Sequence, residues 1–303
     1  MDRNGESTRR EFFRDMGVLA GGAALTSGLP LFAADAPDLV VVSGEDPKAM
    51  VKKAIEALGG MKRFVSKGDV VVIKPNIGWE RTVEQAANTN PDVVVGLIEM
   101  AFDAGAKEIK VFDRSVQEPP QCYAMSGIAE AARKAGAKVL FHTKLKTADI
   151  PIKDGVVLKK SAVWRDAVEC DCYINVPVAK THSQTRLTLA IKNHMGVTAD
   201  DCGKAWHPKL DQVLADFASG FTPKLTVLDA YRIVIKDGPK AGNLADVQLA
   251  RKCIAGVNQV SLDAYGATLF GKKPTDVAHI DLAGKRGAGE IDLAKLKIVE
   301  LKA

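Results

Sequence analysis

Val70-Val-Val-Ile-Lys-Pro-Asn76, then Asn90-Pro-Asp92, then Ile109-Lys-Val-Phe-Asp-Arg114: these three pieces in succession decide the fold. The unbroken apolar run Val70–Ile73 predicts a strand buried on both faces, turning polar at Lys74 and Asn76 where it should end. Asn90 is a side-chain cap and Pro91 suits a first turn, which predicts a helix through Ala104 before Gly105. Ile109–Arg114 reads as another strand that again ends in charge. A strand, a helix and a strand require a crossover connection, so the two strands are expected to lie parallel in one sheet.

The alternation continues in both directions. Leu39–Ser43 is a short apolar strand, and Pro47–Leu58 carries apolar residues at helical spacing before Gly59-Gly60. Ile128–Lys134 reads as a helix and Lys138–His142 as a strand. Thr147–Leu158 reads as a hairpin-type insertion with Val156–Leu158 as its second strand. Asp211–Phe217 and Ser261–Phe270 have helical patterns, whereas Lys224–Asp229 and Lys252–Gly256 have strand patterns. The tail, with Gly284, Gly287 and Gly289, reads as a loop followed by an edge strand over Leu296–Leu301. The expected class is α/β: a mainly parallel sheet with helices on both faces, in one or two lobes.

Size and composition narrow the function classes. At 303 residues, with 47% hydrophobic and 26% charged residues, the chain can bury a large core and is not a disordered one. The net charge is +5, yet no Lys/Arg-rich run carries interleaved aromatics, so nucleic acid is not an expected partner. A mildly basic protein suits an anionic small-molecule ligand.

The first residues read as an address. Ser7-Thr-Arg-Arg-Glu-Phe-Phe13 precedes a weakly apolar stretch, Met16–Leu31, and the small residues Ala33, Ala34 and Ala36. This resembles a twin-arginine export signal over residues 1–36, with the α/β domain over 37–303. The resemblance implies the twin-arginine translocase as a partner during export and a periplasmic or extracellular mature protein. The route carries folded proteins, often with a metal or cofactor already inserted. The apolar stretch is broken by glycines and falls short of the roughly 18 residues of a spanning helix, so no stable membrane insertion is expected after cleavage.

Polar chemistry concentrates between Cys172 and His207, where three of the five histidines and several lysines follow apolar runs. Neither Cys-x-x-Cys nor an early Gly-x-Gly-x-x-Gly occurs, which argues against a ferredoxin-type cluster and a dinucleotide. Of the five cysteines, Cys202, five residues before His207, is the one nearest other reactive types.

Val72-Ile-Lys74-Pro-Asn76, Asn90-Pro, Ile174-Asn175-Val-Pro-Val-Ala-Lys180-Thr-His182, Ile191-Lys192-Asn193-His-Met-Gly196, Lys204-Ala-Trp-His207, Leu228-Asp229-Ala230 and Gly238-Pro-x-x-Gly242 together resemble the domain-of-unknown-function 362 family, over residues 38–280. Some relatives carry ferredoxin-type cysteine clusters; this chain departs there. The resemblance implies that Lys74, Lys180 and Lys192 converge on an anion, with Asn76, Asn175 and Asn193 as amide contacts to substrate. His182, His194 and His207, with Cys202, form one candidate metal set for zinc, iron or nickel. Alternatively His182 and His207, with Lys180 and Asp113, supply acid–base chemistry. Gly196 suggests a backbone brought close to a ligand, and Trp206-His207-Pro208 a lid or a packed surface aromatic. An enzyme on an anionic small molecule is the first expectation. A ligand- or metal-binding accessory protein without catalysis is the second, and an electron-transfer partner that has lost its clusters the third.

Overall fold

The computed structural model describes residues 36–142 and 146–303; residues 1–35, which hold the expected export signal, lie outside it. Residues 36–303 form one compact unit rather than two lobes. The strands are β1 Leu39–Ser43, β2 Val70–Pro75, β3 Glu108–Val111, β4 Lys138–Val139, β5 Thr147–Pro151, β6 Lys160–Trp164, β7 Cys172–Val176, β8 Val178–His182, β9 Arg186–Thr188, β10 Leu225–Val234, β11 Val247–Gly256 and β12 Ile298–Lys302. The helices are α1 Pro47–Ala57, α2 Pro91–Asp103, α3 Pro119–Met125, α4 Ile128–Lys134, α5 Arg165–Glu169, α6 Ala190–Asn193, α7 Leu210–Gly220, α8 Gln259–Thr268 and α9 Ala278–Lys285.

The main sheet runs β12-β1-β11-β10-β7-β2-β3-β4, with β8 alongside β10 and β9 paired to β8. It is mostly parallel; β11 is antiparallel to β1 and β10, and β9 is antiparallel to β8. The run Val70–Ile73 is apolar because both faces are covered. Val71 and Ile73 enter the core under α1, α2 and α4, while Val72 enters the core shared with α7. A third cluster, with Leu39, Leu228, Ile254 and Leu262, seats α8 on the same side as α7. Two-sided burial at period two places Lys74 on the α7 face, directly below α6.

The expected cap holds: the Asn90 side chain accepts from Asp92 N, 3.0 Å, with Pro91 opening α2. Several boundaries differ from expectation. Val156 is 63% exposed, and the Val157 and Leu158 amides donate to Asp216 Oδ2, so this is a turn and the hairpin's second strand is β6. β4 covers only two residues at the sheet edge. The tail contains α9, whose Ile280 and Ala283 pack into the core; its Gly284 sits against Ile291, where a side chain would collide. Trp206 is fully buried, with Nε1 donating to Asp200 Oδ2 at 3.3 Å, and is not a lid. No helix among the described residues is long and apolar enough to cross a membrane.

The sheet opens at one place. β7 stays beside β2 as far as the Pro75–Val176 pair, and after Pro177 the chain continues as β8 along β10. Strand order also changes direction here, since β2 leads to β3 on one side and meets β7 on the other. A crevice at the carboxyl ends of strands where the order reverses is where open α/β sheets bind ligands.

Candidate functional site

A cavity of about 460 Å³ occupies that crevice. Its wall takes Lys74 and Asn76 from the end of β2, Asp113 and Arg114 from beyond β3, Lys180 and His182 from β8, Lys192 and Asn193 from α6, and Cys202 and His207 from the following turns. The three lysines expected from the sequence therefore meet, and they do three different jobs.

Lys74 is saturated. Its Nζ donates to Asn193 O at 2.6 Å and Asn193 Oδ1 at 2.8 Å, and lies 2.8 Å from Asp113 Oδ1 in an ion pair 1–2% exposed. Burial lowers its pKa and the Asp113 charge opposes that shift. Asp113 Oδ2 meanwhile accepts from Ile77 N at 2.6 Å, fixing the turn after β2. Lys180 gives two bonds, to Asn76 Oδ1 at 3.0 Å and Ala87 O at 2.6 Å, and has no carboxylate within ion-pair distance among the described residues. Burial, then the Lys192 charge, pull it well below the usual lysine range. Its remaining tetrahedral position, a proton or a lone pair, is left for the cavity.

Lys192 is the open cation. It is 9% exposed, and its sole hydrogen-bond partner among the described residues is the Met195 thioether at 3.4 Å, a weak acceptor. Burial brings its pKa down to about 8, partly offset by Cys202 and Asp211, so it stays mostly charged at pH 7. α6 is held at its start by Asp263, whose two oxygens accept from Ala190 N at 2.6 Å and Ile191 N at 2.9 Å. Burial lifts that carboxyl to about 7 against both bonds.

The asparagines knit the lysines together. Asn76 Nδ2 donates to Asn193 Oδ1 at 3.1 Å, so Lys180, Asn76, Asn193 and Lys74 form one chain. Asn175 is not on the cavity wall. Fully buried, it accepts from Asn193 Nδ2 at 2.8 Å and donates to Ala190 O at 3.0 Å, so it positions α6 and does not reach a ligand. Asp229, the other strand-end carboxylate, accepts from Asn90 N at 2.7 Å and Tyr231 N at 3.1 Å, which anchors the start of α2 away from the cavity.

The histidines separate by tautomer. His182 Nδ1 accepts from Gln184 N at 3.1 Å and Thr185 N at 3.2 Å, so its proton sits on Nε2. Burial, then the Lys192 and Lys180 charges, hold this imidazole down to about 3, neutral at pH 7. His207 is the reverse: Nδ1 lies 2.6 Å from Cys202 O, which can only accept, so Nδ1 carries a proton and the lone pair of the neutral tautomer falls on Nε2. Gln184 Nε2 donates to His207 O at 2.8 Å and ties the two loops together.

His194 departs from expectation. It is fully buried among Tyr173, Phe217 and Phe221, with Nδ1 3.2 Å from the Tyr173 hydroxyl and Nε2 against Gln259 Oε1. Both ring nitrogens are committed on the far side of α6, so it does not join His182, His207 and Cys202. With His182 Nδ1 also occupied, the expected four-residue metal set is not assembled. Among the described residues no cluster of three or more His, Cys, Asp or Glu side chains has metal-holding geometry. Cys202 instead lies 2.7 Å from Arg114 Nη2.

The β8–β9 hairpin that fixes His182 was not anticipated. The signal was there: Val178–His182 and Arg186–Thr188 flank the polar turn Ser183-Gln-Thr185.

The chain is similar to several known proteins. Thylakoid-associated protein sll1697 of Synechocystis sp. is 27% identical over 217 residues, covering 66% of this chain; the chain spans 64% of that protein's length. Among solved structures, the lactate racemase apoprotein from Thermoanaerobacterium thermosaccharolyticum aligns at a TM-score of 0.43 and 14% identity, covering 79% of this chain and 58% of that one. A structural-genomics protein from Thermotoga maritima aligns at 0.42 and 12%, covering 80% and 60%. The model for the domain of unknown function DUF362 matches residues 71–268, which takes in all but the first residue of β2, the hairpin, α6 and every cavity residue named above, and the chain belongs to that family.

Proposed function

We propose that the protein is an enzyme that binds an anionic small molecule in the β2–β8 crevice and moves a proton on it. The observation that carries this reading is Lys192, a buried ammonium facing the cavity with only a thioether as partner among the described residues. A buried cation without an oxygen acceptor is costly, and a carboxylate or phosphate on the ligand would relieve that cost. Lys180 has no carboxylate partner among the described residues either, and an arriving anion would favour its charged form.

Around that anion the two histidines support opposite roles. His207 Nε2 is the base that accepts a proton from the ligand. His182 Nε2–H is a fixed donor to an oxygen that gains charge as the proton leaves. Asp113 and Lys74 hold the floor of the site, and no metal step is invoked because the donor set does not come together.

The test is binding followed by exchange. Isothermal titration with phosphate, pyruvate and 2-oxoglutarate is expected to show binding that Lys192→Met weakens at least tenfold. Proton NMR in D2O is expected to show exchange of a carbon-bound hydrogen that His207→Asn abolishes. Binding without exchange on any carboxylate would overturn catalysis and leave a ligand-binding accessory protein. Export rests on Arg9-Arg10 and the apolar stretch that follows. Replacing both arginines with lysine should keep the chain in the cytoplasmic fraction; unchanged fractionation would refute a twin-arginine route.

A further inference from the structure

His182 borders two cavities. One face closes the inner pocket just described, and the same ring also lines a more open cleft of about 430 Å³ with Thr181, Arg186, Lys236, Asp237 and Lys272. Arg186 is the direct cross-strand neighbour of His182 in the β8–β9 hairpin, so its guanidinium stem starts within about 5 Å of the imidazole's. The opposite wall is the loop after β10. Gly238 lies so close to β8 that an added Cβ would stand 2.0 Å from Thr181 O, and its amide donates to Thr181 Oγ1 at 3.1 Å. The next residue, Pro239, lines the inner pocket. The two cavities therefore share His182 on one side and are lined by successive residues, Gly238 and Pro239, on the other.

Charge in the outer cleft is one-sided. Arg186, Lys236 and Lys272 face a single carboxylate, Asp237, which lies 4.0 Å from Lys236. Arg186 and Lys272 have no carboxylate within ion-pair distance among the described residues. Isolated surface cations are ordinary, but three around a small cleft that shares His182 with an anion pocket concentrate positive potential at one point.

We infer that the ligand is a bis-anionic small molecule, one anion seated at Lys192 in the inner pocket and the other at Arg186 and Lys272 in the outer cleft, with His182 between them. This rests on the anion-binding reading above and adds the second charge. A phosphorylated carboxylic acid or a dicarboxylate has this chemistry. An acidic macromolecule is disfavoured because the second cluster is small and borders, across His182, a pocket of small-molecule size. Joining two weak anion contacts in one molecule makes the second contact intramolecular, so affinity should exceed that of either anion alone by far more than a surface patch would give.

The experiment is titration of the full chain with glycerate, glycerol 3-phosphate and 3-phosphoglycerate, and with dicarboxylates from malonate to adipate, each at two salt concentrations. At least one bis-anion is expected to bind tenfold or more tightly than the matching mono-anion. The double variant Arg186→Gln, Lys272→Gln is expected to remove that advantage while mono-anion binding stays unchanged, which also reports that the variant is folded. Mono-anion binding that depends on Lys192, with no bis-anion gaining more than twofold, would overturn the second subsite and leave the anion pocket standing. A bis-anion advantage that survives in the double variant would overturn it equally. No binding of any probe, or binding indifferent to Lys192→Met, would remove both readings.

Discussion

Gly196 and Asp113 are in contact so close that no side chain fits between them: a Cβ on Gly196 would lie 1.8 Å from Asp113 Oδ1 and 2.7 Å from Lys74 Nζ. The glycine does not need unusual backbone angles; it is there because the chain after α6 passes directly over the buried ion pair.

Gly196→Ala is therefore expected to displace Asp113 and open the Lys74 pair. Overpacking of this kind costs about 1–3 kcal/mol, and the lost register of Lys192 and Asn193 should weaken anion binding as well. Thermal unfolding and phosphate titration check it. A variant with wild-type Tm and affinity would show that the backbone moves aside freely.

Lys192 sets a pH limit on binding. With its pKa lowered to about 8, the cation is lost above that value, so anion affinity should fall as pH rises from 8 to 10 and Lys192→Met should flatten the profile. The stability effect has the opposite sign. Between 8 and the ordinary 10.5 the unfolded chain binds more protons, so this group makes the ligand-free protein more stable as pH rises through that window. Urea denaturation at pH 7.5, 9 and 10 measures the slope.

His182 and His207 should part under the same substitution. Asparagine at 182 can keep the acceptor for Gln184 N and Thr185 N, and at 207 it can keep the donor to Cys202 O; each removes only the Nε2 end. His207→Asn is expected to lose proton exchange by about 10²–10⁴-fold with little change in binding. His182→Asn is expected to lose exchange and also weaken binding. Equal effects of the two on binding would contradict the assigned tautomers.

Asp263 couples pH to the placement of α6. Its folded pKa, about 7, lies above the ordinary 3.8, so the folded protein holds the extra proton between those values and stability contributed by this group falls as pH rises from 4 to 7. Asp263→Asn removes that slope. It also turns an amide N–H toward one of the two backbone donors, at a cost of about 1–3 kcal/mol. Denaturation midpoints at pH 4.5 and 7.5 compare the two proteins.

Legibility followed the range of the interactions. Val70–Ile73, the Asn90-Pro91 cap and Ile128–Lys134 were readable because periodicity and capping are local, and each element lies where its own residues place it. α9 was not, because a glycine inside an eight-residue helix looks like a loop until Ile291 is seen packed on it. Val156–Leu158 failed for a similar reason: its apolar residues suggest a strand, but their amides are taken by Asp216, some sixty positions away.

At the site the division is sharper. That polar residue types gather after the strands was legible in the order of residues along the chain, since strand ends in a parallel sheet fall on one edge, whereas the meeting of Lys74, Lys180 and Lys192 was implied by the family resemblance. Tertiary structure alone decided their states. Asp113 neutralises Lys74 while Lys192 is left with a thioether, and two backbone amides fix the proton of His182 on the nitrogen opposite that of His207. His194, one residue beyond Asn193, turns into an aromatic core because successive helical positions point about 100° apart. Proton position, charge and reach depend on partners distant in sequence and on the exclusion of water, and neither is written in the local pattern of residues.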